Sequence, residues 1–204
     1  LPEAAFVFLG FHSQNKIAAD AFAAWMRCLR EVPESVLWML DHGDRHRTNL
    51  LSSARRHGVG PERIIFAPKL NNEDHLARLI LADLYLDNSW FNAHTTGADA
   101  LWRGLPIVTI AGETFASRVG ASLLHAAGLP DLVAHTPGEQ ADIAIALAQA
   151  PRRMAALRIH LKHAAKTAPL FDMEAYTHTL ERAYQAMAER ARNNLPPADI
   201  TIKP

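Results

Sequence analysis

The segment NAHTTGADALWRGLPIVTI, residues 92–110, decides how the chain reads. Its end, PIVTI at 106–110, is a short continuous apolar run, as expected of a parallel strand buried on both faces. Before it, residues 96–103 fit a helix, and before that stands a polar loop closing on His94-Thr95-Thr96-Gly97. The same strand–loop–helix alternation extends in both directions. Strands are expected at 5–10 (AFVFLG), 35–40 (SVLWML), 63–67 (RIIFA), 84–87 (LYLD) and 106–110, with a short sixth at 131–134. Helices are expected at 18–32, 49–57, 73–82, 96–103 and 114–127, and from 137 to 194 with breaks near Pro151 and Pro169. Such alternation predicts an α/β fold with a Rossmann-like parallel sheet and helices on both faces. Ligands of such sheets sit beyond the carboxyl ends of the strands, where strand order reverses.

Composition narrows the classes. With 204 residues, 49% hydrophobic, the chain can bury a full core. Lysine plus arginine and aspartate plus glutamate each number 21, so there is no basic excess of the kind a general nucleic-acid binder carries. The uncharged stretch 119–130 is too short for a membrane span, which needs roughly 20 apolar residues. No basic segment followed by an apolar one opens the chain. It begins with Leu1 and not Met, which leads us to expect a fragment or a processed chain. Cys28 is the only cysteine and sits at core spacing with Trp25 and Leu29, so it reads as a buried hydrophobe. A lone cysteine suits a reducing compartment, and a cytoplasmic protein is expected.

The strand-to-helix junctions carry the candidate chemistry. At 92–99, helix N–H groups and the hydroxyls of Thr95 and Thr96 can hold a phosphate, and Gly97 lets a ligand approach the backbone. Thr96-x-x-Asp99 equally fits a capping box, in which the threonine serves only the helix. At 11–16 (FHSQNK), Lys16 stands near the carboxyl edge of the sheet, within reach of a diphosphate or free in solvent. At 68–78, Asn71 or Asn72 can cap a helix on which His75 and Arg78 share a face. That pair can stack on a planar base, or form an ordinary surface contact. Eleven histidines raise the question of metal, but Asp41, His42, Asp44 and His46 crowd a loop with Arg45 and Arg47, and His160 and His163 lie beside lysines. No metal site is expected at either place. No D-x-D pair, G-x-G-x-x-G or G-x-S-x-G occurs.

Taken together, these loops resemble one family. HTTGADALWRGLPIVT at 94–109, continued by GETFASRV at 112–119, is similar to the signature of the O-linked N-acetylglucosamine transferases. Residues 33–40, 63–68, 74–87 and 169–184 fit the same family. The resemblance implies the C-terminal, donor-binding half of a GT-B glycosyltransferase. It would comprise a Rossmann-like lobe at 1–168 and, at 169–204, a C-terminal helix and tail packing back on the GT-B fold. It implies UDP-GlcNAc as donor, serine or threonine hydroxyls of proteins as acceptor, inversion at the sugar, and no cofactor or metal. Lys16 matches the family's diphosphate lysine and is the catalytic candidate. His94, Thr95 and Thr96 match the diphosphate contacts, Asp99 the ribose contact, and His75 and Arg78 the uridine side. Gln14, Leu70 and Asn72 complete the expected donor contacts. Ser13, not Gln14, is in register with a family glutamine; Asn72 stands where a ribose-binding lysine is usual; Ala111 replaces a proline. The resemblance further implies an N-terminal catalytic lobe and tetratricopeptide repeats outside this segment, along with the acceptor-side residues. Other readings are a GT-B transferase using GDP-fucose or UDP-glucose, and a sugar-nucleotide-binding module without turnover. The GETFASR segment favours the GlcNAc branch.

Overall fold

A computed structural model describes residues 1–202. Six parallel strands form one sheet: β1 (Phe6–Gly10), β2 (Ser35–Leu40), β3 (Ile64–Ala67), β4 (Leu84–Leu86), β5 (Ile107–Ile110) and β6 (Val133–Ala134). Their order is β3-β2-β1-β4-β5-β6. The continuous apolar runs are explained by burial on both faces: Phe8, Leu9, Leu37, Leu84, Leu86 and Val108 are all fully buried. On β1, Leu9 stands opposite Trp38 of β2 on one side and Tyr85 of β4 on the other. The chain moves outward through β1, β2 and β3, then returns to β4 and moves outward the other way. The reversal falls between β1 and β4.

Helices α1 (Ala19–Glu31), α2 (Asp44–Arg56), α3 (Asn72–Arg78), α4 (Thr95–Trp102), α5 (Val119–Ala126) and α6 (Pro137–Ala148) cover the sheet. Two more, α7 (Pro151–Thr167) and α8 (Met173–Arg192), follow. Helix α1 buries Phe22, Trp25, Met26 and Leu29, a 3.6-residue stripe in which each large side chain contributes about 1.5–3 kcal/mol. Cys28 is buried beside them, and burial pushes its thiol up to about 12. Pro151 and Pro169 each occupy the first turn of a helical segment, where no N–H is needed. Helix α8 buries none of its residues.

Three sequence expectations are corrected. Helix α2 starts at Asp44, not at residue 49. Gly43, at φ 93°, and the Asp41 carboxylate, which accepts the Gly43 N–H at 2.9 Å, turn the chain into it. Its first turns are polar and mostly exposed, so no apolar period marks them. The segment expected at 73–82 is α3 followed by a 3-10 turn at Leu79–Leu81. The one expected at 114–127 is a 3-10 turn at Phe115–Ser117 followed by α5.

Candidate functional site

At the β1/β4 reversal lies a cleft of about 290 Å³, formed by the loop after β1 and the loop between β4 and α4. The loop after β1 ends in a 3-10 turn, Gln14–Lys16, closed by the Lys16 N–H donating to the Ser13 carbonyl at 2.9 Å. The Asn88 side chain ties the two loops together. Its amide donates to the Lys16 carbonyl, and its Oδ1 accepts the Ala18 N–H at 3.1 Å. The Lys16 ammonium lies 3.6 Å from the centroid of the Phe91 ring. That ring stacks on His94 at 4.8 Å and an interplanar angle of 19°. His94 in turn meets the Ala116 carbonyl through Nε2 at 3.2 Å.

The N-terminus of α4 forms the opposite wall. His94 is its N-cap and supplies no side-chain cap. Its carbonyl accepts from the N–H groups of Gly97 and Ala98, both at 3.0 Å. Among the described residues the N–H groups of Thr95 and Thr96 meet no acceptor. The capping-box alternative at Thr96 and Asp99 is therefore not what forms; a box is found instead at Thr114 and Ser117. Gly97 also serves another purpose than expected. A Cβ there would point into the protein, 3.1 Å from Leu123 and 3.3 Å from Ala93, so the glycine lets α4 pack closely.

Beneath the cleft is a buried polar base. Asp87 accepts the N–H groups of Asn88 and Ala93 at 2.8 and 2.7 Å through Oδ1, and the Thr109 hydroxyl at 2.6 Å through Oδ2. Burial pushes its carboxyl upward, while His12 nearby and these three donors favour the carboxylate. The Asn92 amide donates to the carbonyls of Asn88 (2.7 Å) and Ile110 (3.3 Å), and its Oδ1 accepts the Gly120 N–H at 3.1 Å. From α6, the Gln140 amide reaches the carbonyls of Asp87 and Val108, both at 2.8 Å. On the β1 side His12 is buried, with Nε2 2.9 Å from the Leu86 carbonyl and its ring stacked on Trp25; burial lowers its pKa. The Asp87–Ala93 bond and the three bonds of the Asn92 side chain fix the loop that carries residues 91–96, and the Thr109 and Gln140 bonds hold Asp87 itself in place. Few groups in the base are free to relax, so the cleft is preformed.

The other candidates distribute around this cleft. The Arg78 guanidinium sits 4.5 Å above Phe11, a residue lining the cleft, and binds the Pro68 carbonyl at 2.7 Å and His75 Nδ1 at 2.9 Å. The His75 ring is 5.8 Å from Phe11. Its pKa is lowered, by burial first and then by Arg78, while Asp99 opposes, which places Asp99 in the same neighbourhood. Gln14 faces a separate hollow with His42 and His46. Leu70 borders another with Pro68 and Arg78. Asn72 is exposed in the first turn of α3, whose cap is Asn71, accepting the Asp74 N–H at 2.9 Å. The structure thus gathers Lys16, His94, Thr95 and Thr96 into one cleft, flanks it with His75, Arg78 and Asp99, and leaves Gln14, Leu70 and Asn72 outside it. Sequence reasoning missed Phe91, His12, Asn88 and Asn92. The run Asp87-Asn88-x-x-x-Asn92 directly after a buried strand was a usable signal for the asparagines. Among the described residues no three His, Cys, Asp or Glu side chains converge as metal ligands. No described helix is long and apolar enough to cross a membrane.

A family model for glycosyl transferase family 41 matches residues 1–180. The chain belongs to this family. It is 36% identical over 201 residues to a UDP-N-acetylglucosamine–peptide N-acetylglucosaminyltransferase of Caenorhabditis elegans, covering 98% of this chain and 18% of that protein. A probable enzyme of the same description from Arabidopsis thaliana, SEC, is 35% identical over 188 residues, covering 92% of this chain and 19% of the relative. The chain therefore spans about a fifth of the length of these curated relatives. Among solved structures, a mutant of the Thermobaculum terrenum O-GlcNAc transferase superposes with a TM-score of 0.86 at 30% identity, covering 91% of this chain and 36% of that one. The glycosyltransferase WaaG, at 15% identity and a TM-score of 0.65 over 88% of this chain and 47% of its own, shares the fold. These matches fit the expected fold, one lobe of a GT-B glycosyltransferase.

Proposed function

We propose that this family 41 chain is the donor-binding lobe of a protein O-GlcNAc transferase, and that its β1/β4 cleft receives the diphosphate of UDP-GlcNAc. The observation that carries the reading is the convergence of the Lys16 ammonium with two unpartnered N–H groups, those of Thr95 and Thr96, on one preformed cleft. A helix N-terminus carries partial positive charge and free donors, which suit phosphate. As the bond from sugar to UDP breaks, negative charge grows on the diphosphate. Donors already in place at that position stabilise the transition state more than the ground state, which is what accelerates a reaction. His75, Arg78 and Asp99 lie where the nucleoside would extend past Phe11, with Leu70 and Asn72 as outer contacts; Gln14 would touch the donor only by turning out of the hollow it faces.

The acceptor, a serine or threonine of a protein, would approach from a lobe outside this chain, as would the group that takes its proton. The tetratricopeptide repeats implied by the resemblance would lie there too. The division at residues 168 and 169 is part of the same reading. Helix α8 leaves Met173, Tyr176, Tyr184 and Met187 exposed, a surface suited to packing against the rest of a GT-B enzyme. We place the reaction in the cytoplasm, where UDP-sugars and the reduced Cys28 thiol are both at home, and assign it no metal. Lys16 and the helix N–H groups supply the neutralisation that a divalent ion would otherwise give.

Calorimetry of UDP with the chain tests the cleft. UDP already carries the charge that the donor develops only as its bond breaks, so UDP binding that is weakened by Lys16→Met and unaffected by EDTA supports the reading. Binding that requires manganese, or a UDP complex with the diphosphate away from residues 94–96, overturns it. A donor panel on the complete enzyme separates UDP-GlcNAc from UDP-glucose and GDP-fucose.

A further inference from the structure

We infer that Phe91 is a positioning residue: its ring holds the Lys16 ammonium in place for the nucleoside diphosphate. The inference rests on the reading of the cleft as a diphosphate site. Among the described residues Lys16 Nζ makes no ion pair and no hydrogen bond, so no carboxylate or carbonyl fixes it. A lysine side chain in that position would ordinarily sweep through solvent over many rotamers. Here the ammonium rests on an aromatic face, 3.6 Å from its centroid, and both residues line the cleft. The face of a ring attracts a cation through its quadrupole but accepts little from the ammonium's N–H groups. Lys16 therefore keeps donors for phosphate oxygens while its position is set. A carboxylate partner would have held it more firmly but would have repelled the diphosphate.

The other side of the arrangement is just as constrained. Phe91 stacks on His94, the N-cap of α4, and the Asp87–Ala93 and Asn92–Asn88 bonds fix the loop that carries it. One ring thus sets the spacing between the two phosphate-facing elements, the lysine from β1 and the helix N-terminus from β4.

A double-mutant cycle on the complete protein tests this. Phe91→Leu is expected to lower kcat for sugar transfer by about fivefold, the size of a cation–π contact, with a smaller change in KM. Phe91→Trp, which keeps an aromatic face, should restore most of it. In a Lys16→Met background, Phe91→Leu should change kcat by less than about twofold. An NMR readout needs no activity: the Lys16 ε-methylene should resonate upfield under the ring and return to its ordinary position in Phe91→Leu. Additive effects of the two substitutions, or an ε-methylene that does not move, overturn the role of Phe91 and leave the cleft's reading standing. If Lys16→Met alone leaves transfer unchanged, the diphosphate assignment of Lys16 fails, and this inference fails with it.

Discussion

The Thr109 hydroxyl on β5 donates to the Asp87 carboxylate at the end of β4 at 2.6 Å, and both atoms occupy the space that a side chain on Gly120 would take. A Cβ at Gly120 would stand 2.6 Å from Asp87 Oδ2 and closer still to the Thr109 hydroxyl. Alanine has the better helix propensity, by about 0.5–1 kcal/mol. The clash is larger: overpacking costs about 1–3 kcal/mol, and displacing Thr109 removes a donor from a buried carboxylate. We expect Gly120→Ala to destabilise the chain by roughly 2–4 kcal/mol. A urea midpoint unchanged from that of the parent would show that α5 can shift without disturbing Asp87.

The threonines at the start of α4 make no cap, so removing their hydroxyls should hardly affect folding. Thr95→Ala, Thr96→Ala is expected to alter stability by less than about 1 kcal/mol, below the usual loss of an N-cap. It should weaken UDP by roughly 1–3 kcal/mol while the backbone donors remain. Uridine, which has no phosphate, should bind nearly as before. Equal losses for UDP and uridine in parallel titrations would remove the hydroxyls from the phosphate site.

Lys16→Ala should act on turnover more than on donor binding, because its charge faces a leaving group that becomes more negative as the bond breaks. In the complete enzyme kcat should fall by at least about tenfold with little rise in KM. A change confined to KM would assign Lys16 to ground-state binding.

Stability should fall on mild acidification. Burial lowers the pKa of His12, and burial is also the main cause that lowers His46 and His75. A histidine depressed in the folded state contributes stability that is present above its unfolded value of 6.5 and is lost as pH falls towards the folded value. The unfolded chain takes up the proton first. Each such group costs at most about 1.4 kcal/mol per pH unit below that point. Asp87, raised by burial, works in the opposite direction. Comparing unfolding of the parent and His12→Gln between pH 7.5 and 5.5 isolates the buried imidazole. The variant should show the shallower loss; parallel curves would mean that His12 is protonated in the folded chain.

The sheet was legible in the sequence because parallel strands buried on both faces must be continuously apolar, as AFVFLG and SVLWML are. Helix α2 was half legible. Its buried side shows at Leu50, Leu51 and Ala54, but its first turns point polar side chains at water and carry no period. Lys16, Thr95 and Thr96 could be found because each stands at a strand-to-helix junction, and the alternation of elements says which junctions matter. Phe91 could not, since its meaning depends on a lysine 75 residues away across a strand pair that no local pattern specifies. Gln14 shows the converse: it begins the same turn that ends in Lys16, yet it faces a different hollow.

The reversal of strand order also sets a timetable for synthesis. Strand β1 acquires its second neighbour only when β4 exists, and the bond from the Val7 N–H to the Asp83 carboxylate spans 76 residues. At roughly 5–20 residues per second, a ribosome needs roughly 4–15 s to make that stretch. Within that interval β2 and then β3 can join β1, but the inner edge of β1 offers its unpaired N–H and C=O groups to any other nascent strand. The two halves of the cleft are thus born apart, and the edge that will later separate them is an aggregation hazard until they meet.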